Sequence, residues 1–310
     1  MSSEDSPVRP FEFPATSAPR AAAPVKIGSL SVLWMLLAAC SLLVLVSLWT
    51  LAAEDEIGLG RKPWQNLKRT VAEMSEPSFL RVWFGDTNAQ IRDQDGKVLR
   101  VDDQRATERR YLGGVGRALW TTLRIATLGT ALAALIALPF GLLAARTLNA
   151  PRPLFWLAKG VLDILRSIHT LVFGLFFVGI VGLGATAGIL AVAAHSAGTL
   201  GKLLAESIET LDTHPVDAVR ATGATAGQVF FLGVWPAVLP HYVSQVLYVW
   251  EFNIRDSTIL GLVGAGGLGL LLSEAMSLFQ WGRLATLLIA IVIMVTAFDA
   301  VSRAVRRRLV

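Results

Sequence analysis

Four polar residues, Glu251, Asn253, Arg255 and Asp256, crowd a short stretch that is otherwise apolar, and Ser257 follows them. If the stretch is helical, Glu251 and Arg255 are four apart and share a face. Charge inside an apolar helix is costly, and it survives where it pairs, faces a bundle interior or lines a water-filled path. Two readings therefore stay open: a structural ion pair near a helix end, or the lining or gate of a path. Asp163 and Arg166, three apart, read as a structural pair at the start of another apolar run. His195, set among small residues, reads as a hydrogen-bond donor between packed helices. His169, His195, His214 and His241 are scattered, and none stands at ligand spacing from another, which argues against a metal site. No Ser/His/Asp set and no His-x-x-x-His pair is present, so no catalytic residue is assigned.

Two glycine motifs invite a nucleotide reading and fail it. Gly264-Ala-Gly266-Gly267-Leu-Gly269 is a literal G-x-G-x-x-G, but a dinucleotide site needs it after a strand, with an acidic residue about 20 positions on. Here it follows an apolar run, and position 289 is isoleucine. It reads as a turn or a close helix contact. Gly198-Thr-Leu-Gly201-Lys202 is followed by leucine rather than Ser or Thr, so it is no phosphate loop.

The elements that carry these residues are membrane helices. Of 310 residues, 54% are hydrophobic and 16% charged, against about 25% charged in an average soluble domain. A spanning helix needs about 20 mostly apolar residues. Runs of that kind cover 30–53, 118–145, 161–183, 185–206, 236–263 and 284–302. The expected fold is an all-α integral membrane protein of about six transmembrane helices. The boundary between the third and fourth runs is a tight turn at Gly182 and Gly184. The single cysteine, Cys40, lies in the first run and makes neither a disulfide framework nor a metal cluster. That run is too long and too far from the start for a signal peptide, so it reads as an uncleaved anchor. Residues 1–29, rich in Pro, Ser and Ala, read as a disordered tail.

Basic residues set the expected orientation. Arg146, Arg152 and Lys159 lie between the second and third runs, Arg303, Arg306, Arg307 and Arg308 follow the sixth, and Arg9, Arg20 and Lys26 precede the first. With six spans these fall on one side, which the positive-inside rule makes cytoplasmic. Residues 54–117 are then a periplasmic loop or small subdomain, although they too are rich in Lys and Arg. Within them, Asp95-Gly96 reads as the turn of a two-stranded hairpin. The net charge of +5 fits loops facing anionic lipid rather than nucleic acid.

The polar stretch between the fourth and fifth runs (207–235) is the most informative. Pro215 suits the first turn of a short helix, and Asp217 sits there beside the positive end of its dipole. Gly223 can take positive φ and end the helix, and Thr225 can cap a second one leading to Phe230 and Phe231. An ordinary connecting loop is the plain alternative to such an elbow.

This stretch resembles the signature cytoplasmic loop of ABC-importer permeases: Glu-Ala-Ala, three residues, Gly, nine residues, Ile, one residue, Leu-Pro. Asp217 stands at the Glu position, Ala218 matches, and Val219 replaces the second Ala. Gly223 and Pro236 keep the spacing, whereas Gly233 and Trp235 depart from Ile and Leu. Arg166–Val178, Ala197–Glu209, Tyr248–Gly269 and Ser277–Leu288 are similar to the phosphonate branch of these permeases, in which many members carry Pro at the position of His169. The resemblance covers roughly 113–310.

The resemblance implies a type I ABC-importer permease core over 118–310 in a bacterial inner membrane. Asp217, Ala218, Arg220, Ala221, Gly223, Ala224 and Thr225 would dock a cytoplasmic ATPase subunit. His169, Glu251, Asn253, Arg255, Asp256 and Ser257 would line or gate the path of a phosphonate or related oxyanion. It also implies a second permease subunit, expected to be an identical copy, and a periplasmic substrate-binding protein. No cofactor is expected on this chain, because ATP is used by the partner. An ion-coupled secondary transporter is the competing expectation. It would need internal repeats, and none is visible.

Overall fold

A computed structural model describes residues 30–53, 62–87, 89–92, 98–148, 151–212 and 214–308. The expected disordered tail over 1–29 and the Asp95-Gly96 turn lie outside them. The chain divides into two compact units, Met1–Pro63 and Trp64–Val310. The first contains helix α1 (Leu30–Ala53), which has no charged residue and no polar face. A helix apolar all round has to be covered by lipid or protein.

The second unit holds all but the first residue of α2 (Pro63–Met74), then α3 (Arg81–Phe84) and the strands β1 (Ala89–Arg92) and β2 (Val98–Asp102). The strands pair antiparallel with a register shift at Ile91/Arg92. Ser78, in the turn between α2 and α3, bonds through its hydroxyl to that of Thr286 at 3.1 Å, so this segment is held against the bundle. The long helix α4 (Gln104–Leu143) follows, capped by Asp103, whose carboxylate accepts from the Ala106 N–H. It starts well before the apolar run and passes straight through the expected boundary at 117/118.

The remaining elements are α5 (Arg152–Ser167), α6 (Thr170–Val181), α7 (Ala185–Glu209), α8 (His214–Ala221), α9 (Ala226–Val229), α10 (Trp235–Leu260), α11 (Leu268–Ser277) and α12 (Trp281–Arg306). Among the described residues five helices are long and apolar enough to cross a membrane, six when α5 and α6 count as one bent span. The chain is thus an all-α membrane protein, save for one antiparallel pair of strands among the described residues.

The third apolar run departs from expectation. It is not one helix over 161–183 but two, α5 and α6, set at 95°. The chain is extended at Ile168 and His169. There the His169 ring accepts from the Leu171 N–H at 3.2 Å and caps a new helix. Thr170 then donates to Asp256 on α10 at 3.1 Å. These bonds replace the hydrogen bonds that a continuous helix would have made.

Packing is through small residues, as usual where lipid gives no hydrophobic drive between helices. A Cβ on Gly198 of α7 would stand 2.5 Å from the backbone nitrogen of Arg166 on α5, so only glycine allows that approach. The G-x-G-x-x-G segment is the turn from α10 to α11, with Gly264, Gly266 and Gly267 at φ of 89°, 82° and 75°.

Candidate functional site

The stretch between α7 and α10 folds as an elbow. Pro215 lies in the first turn of α8, where its missing N–H is not needed. Gly223 ends α8 at φ 80°. Thr225 begins α9, and Gln228 reaches back to accept from the Thr225 N–H at 2.9 Å and from its hydroxyl at 3.1 Å, the return half of a capping box. A single π-helical turn, Phe230–Val234, leads into α10.

One side of the elbow is fastened to the bundle. Val216, Val229 and Val234 are buried in a cluster with Ala144, Leu204, Ile208 and Val238, and Val219 and Ala224 pack against it. The other side is presented outward. Asp217, Ala218, Arg220, Ala221, Gly223 and Thr225 are all exposed, and Ala224 is half-buried. Asp217 and Arg220 pair at 3.2 Å on that face. A cavity of about 800 Å³ lies beside it, lined by Leu148, Glu209, Asp217 and Arg220 among others. The elbow is a short polar surface on a stiff apolar mount.

The intramembrane polar residues separate into four groups. Glu251 and Arg255 do pair, at 3.1 Å. Glu251 also accepts from Arg306 of α12 through its other oxygen at 2.7 Å, and Arg255 approaches Asp299 at 3.6 Å. The expected pair is therefore part of a four-residue network fastening α10 to α12. Asn253 is fully buried, donating to Thr130 on α4 at 2.8 Å and to Ser196 on α7 at 2.9 Å. It knots three helices. Ser257 is buried too, and its hydroxyl has no hydrogen-bond partner among the described residues. At the α5–α6 break Thr170 bonds to Asp256, while the neighbouring His169 ring accepts from the Leu171 N–H. The His195 ring is 6.3 Å from that of His169 and bonds through Nδ1 to the Ile168 carbonyl at 2.8 Å.

Sequence reasoning missed Thr130, Ser196, Asp299 and Arg306. Arg306 appeared only as part of a basic tail. The one available signal for it was its position at the end of an apolar run, within a side chain's length of the membrane. Among the described residues no three His, Cys, Asp or Glu side chains are grouped to hold a metal.

Comparison with known proteins places this architecture. Residues 137–310 match the family described as binding-protein-dependent transport system inner membrane component. The phosphite transport system permease protein PtxC of Stutzerimonas stutzeri is 43% identical over 192 residues, 62% of this chain and 70% of that protein. The phosphate-import permease protein PhnE of Mycolicibacterium smegmatis is 36% identical over 189 residues, but this chain spans only 36% of its length. In fold, the chain is similar to the MetNI methionine ABC transporter in inward-facing form, with a TM-score of 0.58 at 24% identity, over 65% of this chain and 98% of that one. The elbow, the polar crossings and the bundle that holds them are those of a transport subunit, and the chain belongs to the family of inner-membrane components of binding-protein-dependent transport systems.

Proposed function

We propose that the chain is the permease subunit of an ATP-driven importer carrying a phosphorus oxyanion: phosphite, phosphate or a phosphonate. The observation that carries the reading is the elbow. A fixed turn at Gly223 presents exposed Asp217 and Arg220 on an apolar mount, which is what a docking surface for a moving partner requires. The substrate class rests on the phosphite and phosphate permeases to which the chain is 43% and 36% identical. Family membership favours this reading over an ion-coupled secondary transporter.

In this reading a cytoplasmic ATPase subunit grips Asp217, Ala218, Arg220, Ala221, Gly223, Ala224 and Thr225. The chain itself binds no cofactor, and the partner uses the ATP. The protein lies in a bacterial inner membrane with the elbow and both chain ends in the cytoplasm and residues 54–117 in the periplasm. A second, identical copy completes the path, and a periplasmic binding protein delivers the substrate. His169 and, through its bond with Thr170, Asp256 sit at the bend, and with Ser257 they serve the path or its gate. Asn253 and the Glu251–Arg255 pair hold the helices that move.

The test is growth. Deleting the gene should abolish use of phosphite or a phosphonate as sole phosphorus source in a host with the enzymes to oxidise or cleave it. Restoration by the intact gene supports the assignment. Undiminished growth of the deletion strain in a background without other phosphorus importers overturns it.

A further inference from the structure

A second cluster of charge lies outside the residues assigned above. Between α5 and α7, on the elbow side of the bend, is a cavity of about 490 Å³ lined by Asp163, Arg166, His195, Thr199, Lys202 and Glu206 among others. Gly198 permits the close approach of the two helices. Two cations and two carboxylates face one another there, so the empty cavity is compensated in charge.

The compensation is loose. Arg166 meets Asp163 through Nε alone, at 3.1 Å. Its two terminal nitrogens make no hydrogen bond among the described residues, and these are the pair with which a guanidinium grips an oxyanion side-on. Lys202 stands 4.0 Å from Asp163 and 3.8 Å from Glu206, beyond the roughly 2.7–3.2 Å of a hydrogen bond. Three ammonium donors are thus held near carboxylates without being saturated by them.

His195 adds selectivity. Its Nδ1 lies 2.8 Å from the Ile168 carbonyl, and a carbonyl only accepts. In the neutral ring Nδ1 therefore carries the proton and Nε2 is an acceptor. An acceptor beside two cations suits an oxyanion that still bears one hydroxyl proton. Singly protonated phosphite, phosphate and phosphonates meet that description near neutral pH, and fully ionised sulfate does not.

We propose that this cavity is a transit site for a singly protonated phosphorus oxyanion, gripped by Arg166 and Lys202 and read by His195. The carboxylates make it a place of passage. Asp163 and Glu206 neutralise the cations when the site is empty and compete for them when it is filled, so the anion is held weakly enough to leave. The inference rests on the importer reading, but its test does not need transport.

The test uses the assembled permease–ATPase complex in nanodiscs, with Cys40→Ser and Thr199→Cys placing one thiol at the cavity. Inorganic phosphite should slow alkylation of that thiol, and sulfate should do so far less. Arg166→Gln should raise the half-protecting phosphite concentration about tenfold, the loss of roughly one charge-assisted hydrogen bond. Asp163→Asn should lower it, because a competitor for both cations is gone. A merely structural ion pair predicts loss of packing in both variants and no gain in either. Equal protection by sulfate, or protection unchanged in Arg166→Gln, overturns the site. If phosphite protects while the complex with its binding protein carries no phosphorus oxyanion, the cavity assignment stands and the importer substrate falls.

Discussion

Glu251 accepts from Arg255 with one oxygen and from Arg306 with the other, and this asymmetry decides what each side chain is worth. The Arg255 side chain is 49% exposed and the Glu251 side chain only 14%. Removing Arg255 leaves Glu251 still paired at 2.7 Å with Arg306. Arg255→Met should therefore cost about 0–1 kcal/mol, as an exposed pair does. Glu251→Gln leaves Arg255 near Asp299 at 3.6 Å but takes from Arg306 its carboxylate, and Arg306 already has a buried Nε without a hydrogen-bond partner among the described residues. With the Arg306 side chain 27% exposed, the cost of Glu251→Gln should fall between the ~0–1 kcal/mol of an exposed pair and the ~3–5 kcal/mol of a buried charge left alone. Thermal unfolding of the purified complex separates the two, and equal losses would show that the network is solvated. Gly223 is a different kind of residue. No atom stands within 4 Å of a Cβ added there, so its constraint is the φ of 80° alone. Gly223→Val should strain the elbow by roughly 1–3 kcal/mol, lowering ATPase co-purification while membrane insertion stays normal. Gly223→Asn, which tolerates that φ, should restore docking. Loss of docking in both would mean that a side chain, not the backbone, is what the partner rejects.

At the scale of elements, the bend between α5 and α6 is the feature most exposed to test. It is held by the His169 cap and by the bond from Thr170 to Asp256. Thr170 is buried, so Thr170→Val removes the donor and leaves a carboxylate oxygen short of a partner, at a cost of about 1–3 kcal/mol. Transport by the reconstituted complex should fall while ATPase docking is unchanged, since the elbow lies elsewhere. Undiminished transport would remove the bend from the path. The bend also shows why legibility differs between elements. The elbow could be read because its demands are local: Pro215 in a first turn, Gly223 at positive φ, Thr225 beginning α9. The bend could not, because the apolar run from 161 to 183 has no Pro, and its fixing partner, Asp256, is 86 residues away. The same distance hid the knot at Asn253, whose partners Thr130 and Ser196 are 123 and 57 residues off. Apolar periodicity marks that a stretch is helical and roughly where it ends. It carries no information on which polar group will be met across a helix crossing.

For the whole molecule the question is which way the bundle faces. The Arg146 N–H bonds to Glu209 at 3.0 Å, which brings the C-terminal ends of α4 and α7 to the same side as the elbow that follows α7. Arg152 and Lys159 begin α5 there. The last turn of α12 carries Arg303 and Arg306, and with α5–α6 counted as one span its parity puts that turn on the elbow side as well. Short segments rich in Arg and Lys mark the cytoplasmic face, whereas the long stretch 54–117 is less bound by that rule despite its own basic residues. On the proposed orientation Ser277, exposed at the end of α11, falls on the periplasmic side, and Thr222, exposed in the elbow, on the cytoplasmic one. In a Cys40→Ser background, Ser277→Cys should react with a membrane-impermeant maleimide in intact spheroplasts. Thr222→Cys should react only after the membrane is opened, and addition of the ATPase subunit should then protect it, because the thiol sits beside Gly223 on the outward face of the elbow. Labelling of Thr222→Cys in sealed spheroplasts would turn the bundle over. It would put the elbow out of reach of any cytoplasmic ATPase, and the importer mechanism would fall with the topology.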